Sequence, residues 1–131
     1  MSRQTLELLQ ESFSIHTFPP EASIPDVVFS SPIYFIGKTY DEVSIVCPES
    51  LILDSVERED GWGCLEVLGP LGFSLTGILA NISGVLARAK ISIFAISTFD
   101  TDYLLIKQDN IEDAISALRN EGYQVIVPDY A

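Results

Sequence analysis

Positive charge is scarce in this chain. Its 131 residues hold 7 Lys+Arg against 19 Asp+Glu, a formal net charge of -12 at pH 7. A nucleic-acid binder needs a basic stripe to meet the phosphates, and no such cluster is present. An anionic membrane surface repels the chain for the same reason. Histidine occurs once, as His16, so no imidazole sits beside a nucleophile in any recognisable pairing. The two cysteines, Cys47 and Cys64, are too few for a metal-ligating cluster and read as small buried thiols in strand-like runs. No apolar stretch approaches the roughly 20 residues that span a bilayer. Met1 to Gln10 has no signal-peptide core, so a cytoplasmic location is expected. Gly69-Pro70-Leu71-Gly72 lacks the Gly-Lys-Ser/Thr ending of a nucleotide-binding loop. Catalysis, a resident metal and a cofactor therefore have no support in the sequence.

What is present is a globular composition, 47% hydrophobic and 20% charged. From Trp62 onward the chain alternates cleanly. Cys64 to Leu68 is a strand stopped by Gly69-Pro70. Phe73 to Ala89 places Leu75, Ile78, Leu79, Ile82, Leu86 and Ala89 on one helical face, with Ser74 as N-cap. Ile91 to Ser97 is apolar almost throughout, the pattern of a central, covered strand. A polar turn, Phe99 to Asp102, leads into Tyr103 to Ile106, so the pair forms a hairpin. Asp109 and Glu112 have capping-box spacing ahead of a helix with Ile111, Ala114, Ile115 and Leu118 on its buried face. Gly122 supplies a left-handed cap, and Tyr123 to Val127 is the last strand. The order βαββαβ predicts an α+β, ferredoxin-like domain over 62–131, with four strands in one antiparallel sheet and both helices on one face. About 65 residues bury only ~60% of their unfolded surface, so further burial must come from the first region or a second chain.

Residues 1–61 are shorter-stranded. Phe13 to Phe18, Ile33 to Lys38 and Glu42 to Cys47 are strand candidates, with a turn at Thr39-Tyr40-Asp41. Asp26 to Phe29 and Pro48 to Leu53 are candidate short helices. The element order looks like a degenerate copy of the second region. Glu57 to Gly61 is polar, reads as a solvated linker, and marks the boundary.

Gly69-Pro70-Leu71-Gly72-Phe73-Ser74-Leu75-Thr76-Gly77-Ile78-Leu79 resembles the loop and helix start of ACT domains. Ile91 through Leu105, with its Ser97-Thr98-Phe99-Asp100-Thr101-Asp102 core, is similar to a hairpin of one branch of that family. The branch includes small bacterial two-ACT proteins and the eukaryotic cytosolic arginine sensors of the CASTOR family. Glu42 to Pro48 resembles the first half of the bacterial proteins. The resemblance covers nearly the whole chain. It implies an ACT domain preceded by a degenerate ACT-like unit, and a non-enzymatic sensor that binds an amino acid or related metabolite at an ACT-ACT interface. By position, the implied ligand contacts are Gly69, Leu71, Gly72, Phe73 and Ser74 on the loop, with Ser97, Thr98, Phe99, Asp100 and Asp102 on the facing hairpin. Asp102 matches an acidic position of the arginine sensors. Those sensors are longer, so this chain is expected to form a homodimer, with a regulated protein as further partner.

Elementary chemistry is compatible with that site. Glycines let a ligand approach the backbone, and free N–H groups at a helix start receive a carboxylate. Asp100 and Asp102 offer acceptors to an ammonium group. The same residues also read as ordinary punctuation, since Gly-Pro makes turns and Asp closes them on its own backbone. Phe73 and Phe99 read from below as core or interface residues. The competing reading is an ACT-fold dimerisation or partner-docking protein without a ligand.

Overall fold

The computed structural model describes residues 4–68 and 77–128. The chain divides into two compact units, one of Met1–Gln10 with Gly63–Ala131 and one of Glu11–Trp62. Residues 4–10 thus group with the C-terminal part, where the sequence reading put the whole of 1–61 together.

In the first of these units the strands are β1 (Thr5–Leu8), the second half of β5 (Glu57–Leu68), β6 (Phe94–Ser97), β7 (Asp102–Lys107) and β8 (Gln124–Ile126). Their order is β6-β7-β5-β1-β8. The helices are α2 (Ile78–Arg88) and α3 (Ile111–Asn120). Without β1, this is the expected ferredoxin-like βαββαβ. With it, the sheet departs from expectation in two ways. Thr5-Leu6-Glu7-Leu8 is an unforeseen strand between β5 and β8, and it runs antiparallel to β5 but parallel to β8. The insertion buries Leu6 completely. Ile82, Val85 and Leu86 of α2 and Ile111, Ala114, Ile115 and Leu118 of α3 share one cluster with Leu6, Leu65, Val67, Leu104, Ile106 and Val125. Both helices therefore cover the same sheet face, as their spacing predicts.

Two local expectations change, and a third falls outside the described residues. Phe94–Ser97 pairs with β7 alone among the described strands and is largely exposed, so it is an edge strand and not a central one. Its apolar run had suggested a central strand covered by helices on at least one face. Asp109 and Glu112 form no capping box. Asp109 sits in a 3₁₀ turn (Gln108–Asn110), and Asn110 caps α3 without a side-chain bond. Gly77, with φ 79°, precedes α2, while the expected Ser74 cap lies outside the described residues. Gly122 does take the left-handed conformation, at φ 92°, and Tyr123 N–H donates to the Leu118 carbonyl at 3.0 Å to close the end of α3.

The Glu11–Trp62 unit holds β2 (Phe13–Phe18), α1 (Asp26–Phe29), β3 (Phe35–Lys38), β4 (Val43–Pro48) and the first half of β5. The order is β3-β4-β2-β5, with every pairing antiparallel. Phe18, Val28, Val43, Ile45, Cys47 and Leu53 form its core. Pro48 to Leu53 is not helical; its Leu51 and Leu53 instead pack against that core from a loop. Neither cysteine forms a disulfide, and both are buried.

The linker expected at Glu57 to Gly61 is strand. Its charges are not simply solvated, because Ser14 donates to Asp60 Oδ1 at 2.5 Å and Arg58 Nε donates to the same oxygen at 2.8 Å. Those bonds and the Arg58 charge hold the Asp60 carboxyl below the usual carboxylate range. Between Phe13↔Trp62 and Ile15↔Glu59 the register shifts, so Asp60 and Gly61 together face Ser14. Gly61 takes φ 80° there, and its N–H donates to Glu49 Oε2 at 2.8 Å. This is a β-bulge built on a left-handed glycine.

His16 is fully buried in the same unit. Its Nδ1 meets Ser55 Oγ at 2.9 Å, and its Nε2 has no partner among the described residues. Burial, then the Arg58 charge opposite, push its pKa below 6.5, with Asp60 acting weakly the other way.

Two outcomes are expected. No atom lies within 4 Å of a Cβ added at Gly61, so Gly61→Ala costs only conformational strain, about 1–2 kcal/mol in urea unfolding, and Gly61→Asn costs less. Because the folded pKa of His16 is depressed, the unfolded chain binds its proton first as pH falls. The contribution is intact above about pH 6.5 and is lost below it. Between pH 7 and pH 5 the wild type should therefore lose stability relative to His16→Asn; parallel pH profiles would contradict this.

Candidate functional site

The β6–β7 register is Phe94↔Leu105, Ala95↔Leu104, Ile96↔Tyr103 and Ser97↔Asp102. Residues 98–101 are thereby confined to the connecting turn. Thr98 N–H donates to the Thr101 carbonyl at 2.8 Å. The Thr98 hydroxyl donates to that carbonyl at 3.2 Å and accepts from Thr101 N–H at 3.3 Å. Two threonines close the turn, which leaves the Asp100 carboxylate free for other work. The Ser97 hydroxyl donates to Asp102 Oδ1 at 2.6 Å, fixing one carboxylate oxygen at the start of β7. Phe99 is 86% exposed, so the core reading of that residue does not hold within this chain.

The structure brings Ser97, Thr98, Phe99, Asp100 and Asp102 together on one hairpin end. Gly69, Leu71, Gly72, Phe73 and Ser74 lie outside the described residues, so the loop half of the expected site is not part of this geometry.

Three residues near the turn were not singled out from the sequence. Thr101 is buried inside an exposed turn, and its hydroxyl donates to the Val67 carbonyl in β5. Tyr103 donates to Glu66 Oε2 at 3.5 Å. Burial, then the neighbouring Glu66 charge, raise the Tyr103 hydroxyl above its ordinary pKa. Glu66 is the direct cross-strand partner of Glu7. Opposed residues on an antiparallel pair have Cβ atoms about 5 Å apart, and like charges there repel. Glu7 and Glu66 share the sheet face turned from the helices, where Asp100 also acts on Tyr103, while Asp102 alternates with Tyr103 and lies on the face of Leu104. The negative charge around Tyr103 suits a cationic group. The alternation Cys64-Leu65-Glu66-Val67 carried that signal, because it turns Glu66 away from the helices.

Among the described residues no group of three or more His, Cys, Asp or Glu gathers as a metal site. Among the described residues no imidazole or amine is hydrogen-bonded to the hydroxyls of Ser97, Thr98 or Thr101. The arrangement offers fixed acceptors and a negative field, which is the chemistry of holding a ligand.

The ACT domain family matches residues 57–120, a span that contains the hairpin, Glu66 and Thr101. The chain belongs to the ACT-domain family. The human cytosolic arginine sensor for mTORC1 subunit 1 is 36% identical over 127 residues, covering 88% of this ACT protein. The chain spans 38% of that sensor's length. A solved structure of an Agobacterium tumefaciens protein is 32% identical, with TM-score 0.91 over 99% of this chain and 97% of that one. The regulatory subunit of aspartate kinase from Thermus thermophilus superposes with TM-score 0.62 at 14% identity, over 91% of this chain and 98% of that one, a likeness of fold. No helix among the described residues is long and apolar enough to cross a membrane.

The threonine pair and the Ser97–Asp102 bond should separate by burial. Thr98→Val leaves the Thr101 N–H without its side-chain acceptor and should cost about 1 kcal/mol. Ser97→Ala leaves Asp102 to water and should cost less than that, both read as shifts in urea midpoint.

Proposed function

We propose that this ACT protein is a cytoplasmic, non-catalytic regulatory module that binds an amino acid, most favourably a basic one. The ligand lies between the Ser97–Asp102 hairpin and the Gly69–Ser74 loop, at an interface between ACT units. One observation carries the reading: Asp102, inside the matched ACT segment, presents a carboxylate fixed by Ser97 on the same hairpin end as Asp100. These acceptors suit the ammonium and the cationic side chain of a basic amino acid. The loop glycines and the start of α2 supply the donors its carboxylate needs. Likeness to proteins named as arginine sensors supports the same ligand class.

The Glu11–Trp62 unit is read as the second, degenerate ACT-like unit. Its order β3-β4-β2-β5 is the ferredoxin-like order with one short helix and one helix replaced by a loop. Since the chain spans 38% of the arginine sensor's length, a homodimer supplies the remaining ACT surfaces, and the liganded dimer acts on a protein partner.

A thermal-shift screen of the purified chain against the twenty amino acids at millimolar concentration tests this. A ligand of the native state alone adds about 2.7 kcal/mol at a hundredfold excess over Kd. Arginine or lysine should raise the melting temperature of the wild type and leave Asp102→Ala unmoved. Light scattering should give twice the mass of one chain. No shift with any amino acid, alongside an intact dimer, would replace this reading with a ligand-free docking protein.

A further inference from the structure

Thr101 stands apart from the rest of the hairpin end. Its neighbours Phe99 and Asp100 are exposed, yet Thr101 itself is 8% exposed. All three of its polar groups are committed. Its N–H goes to the Thr98 hydroxyl, its carbonyl accepts from Thr98, and its hydroxyl goes to the Val67 carbonyl. The first two bonds are internal to the turn and would form in any conformation of the hairpin as a whole. The third is different, because it leaves the turn for another strand. It also reaches β5 two positions ahead of Gly69, where the loop of the proposed site begins.

We propose that Thr101 is a positioning residue for the ligand site, its hydroxyl tying the Ser97–Asp102 hairpin end to the Val67 carbonyl of β5. The inference rests on the amino-acid-binding reading above. Asp100 and Asp102 flank Thr101 directly, so its anchoring sets where both carboxylates stand relative to β5. Hairpin ends are ordinarily among the more mobile parts of a domain, and a ligand that must order one loses affinity in doing so. The anchor meets that cost in advance. Thr101 makes no ligand contact in this account; it acts through Asp100, Asp102 and the strand end.

The test titrates L-arginine into the full chain by calorimetry, as wild type, Thr101→Val and Thr101→Ser. Amide hydrogen exchange of Thr98 is followed in the same proteins without ligand. Thr101→Val should weaken arginine binding roughly tenfold and speed Thr98 exchange by a similar factor. Thr101→Ser, which keeps the hydroxyl, should return both to near wild type. If Thr101→Val does not fold, Thr101→Ala takes its place in both arms. Unchanged affinity in Thr101→Val overturns the proposal. So does a Thr101→Ser protein as impaired as Thr101→Val, since the methyl packing would then be the cause. If the wild type takes up no arginine, the ligand reading fails, and exchange alone judges the anchor. Protection lost in Thr101→Val and restored in Thr101→Ser supports it, and protection unchanged in Thr101→Val overturns it.

Discussion

The constraint on which the rest depends is that β5 must be paired along its whole length. A twelve-residue strand carries donors and acceptors on both sides, and a small domain cannot leave them dry and unmet. The chain meets this with different partners for the two halves. Residues 57–59 and 62 pair with β2, and residues 65–68 pair with β1. β7 also pairs with β5, which brings the hairpin of the candidate site to this strand. The bulge at Asp60 and Gly61 interrupts the pairing with β2 just before the partners change after Trp62. A left-handed glycine and a Ser14–Asp60–Arg58 set of bonds let the strand continue through a charged sequence.

That pairing connects fold to function. The second half of β5 buries Leu65 and Val67 under the helices and turns Glu66 the other way. The Val67 carbonyl receives Thr101, and Glu66 receives Tyr103. A single strand therefore fixes the height of the hairpin end and contributes part of its negative field. The net charge of -12 tells little by itself, but Glu7 and Glu66 share the face turned from the helices, and Asp100 acts on Tyr103 there. A cationic ligand would relieve the repulsion between Glu7 and Glu66 that the register imposes.

Much of this was legible in the residues. Ile111, Ala114, Ile115 and Leu118 carried an unmistakable helical period, and the structure buries all four. Phe13–Phe18 and Asp26–Phe29 were readable to the residue because prolines bound them. Thr5-Leu6-Glu7-Leu8 was missed although it alternates at period two, because four residues at a chain end are a weak signal against the strong pattern downstream. Glu57 to Gly61 misled because charge usually marks solvated linkers; its pairing depends on Ser14, more than forty positions away. Phe94–Ser97 misled in the opposite sense, since an apolar edge strand and a central strand share one composition. On the site, the aspartates were visible as chemistry. Thr101 was not, because a threonine in a polar turn gives no sign that its hydroxyl is buried on a carbonyl of another strand.

The central claim is that a basic amino acid is held at the Ser97–Asp102 hairpin. Backbone amide shifts followed by NMR during an L-arginine titration test it most directly. The account predicts saturable shifts concentrated at residues 97–102 and 66–77, with those of the Glu11–Trp62 core strands small. Saturable shifts confined to the core strands of that unit, or none anywhere at millimolar arginine, would contradict it.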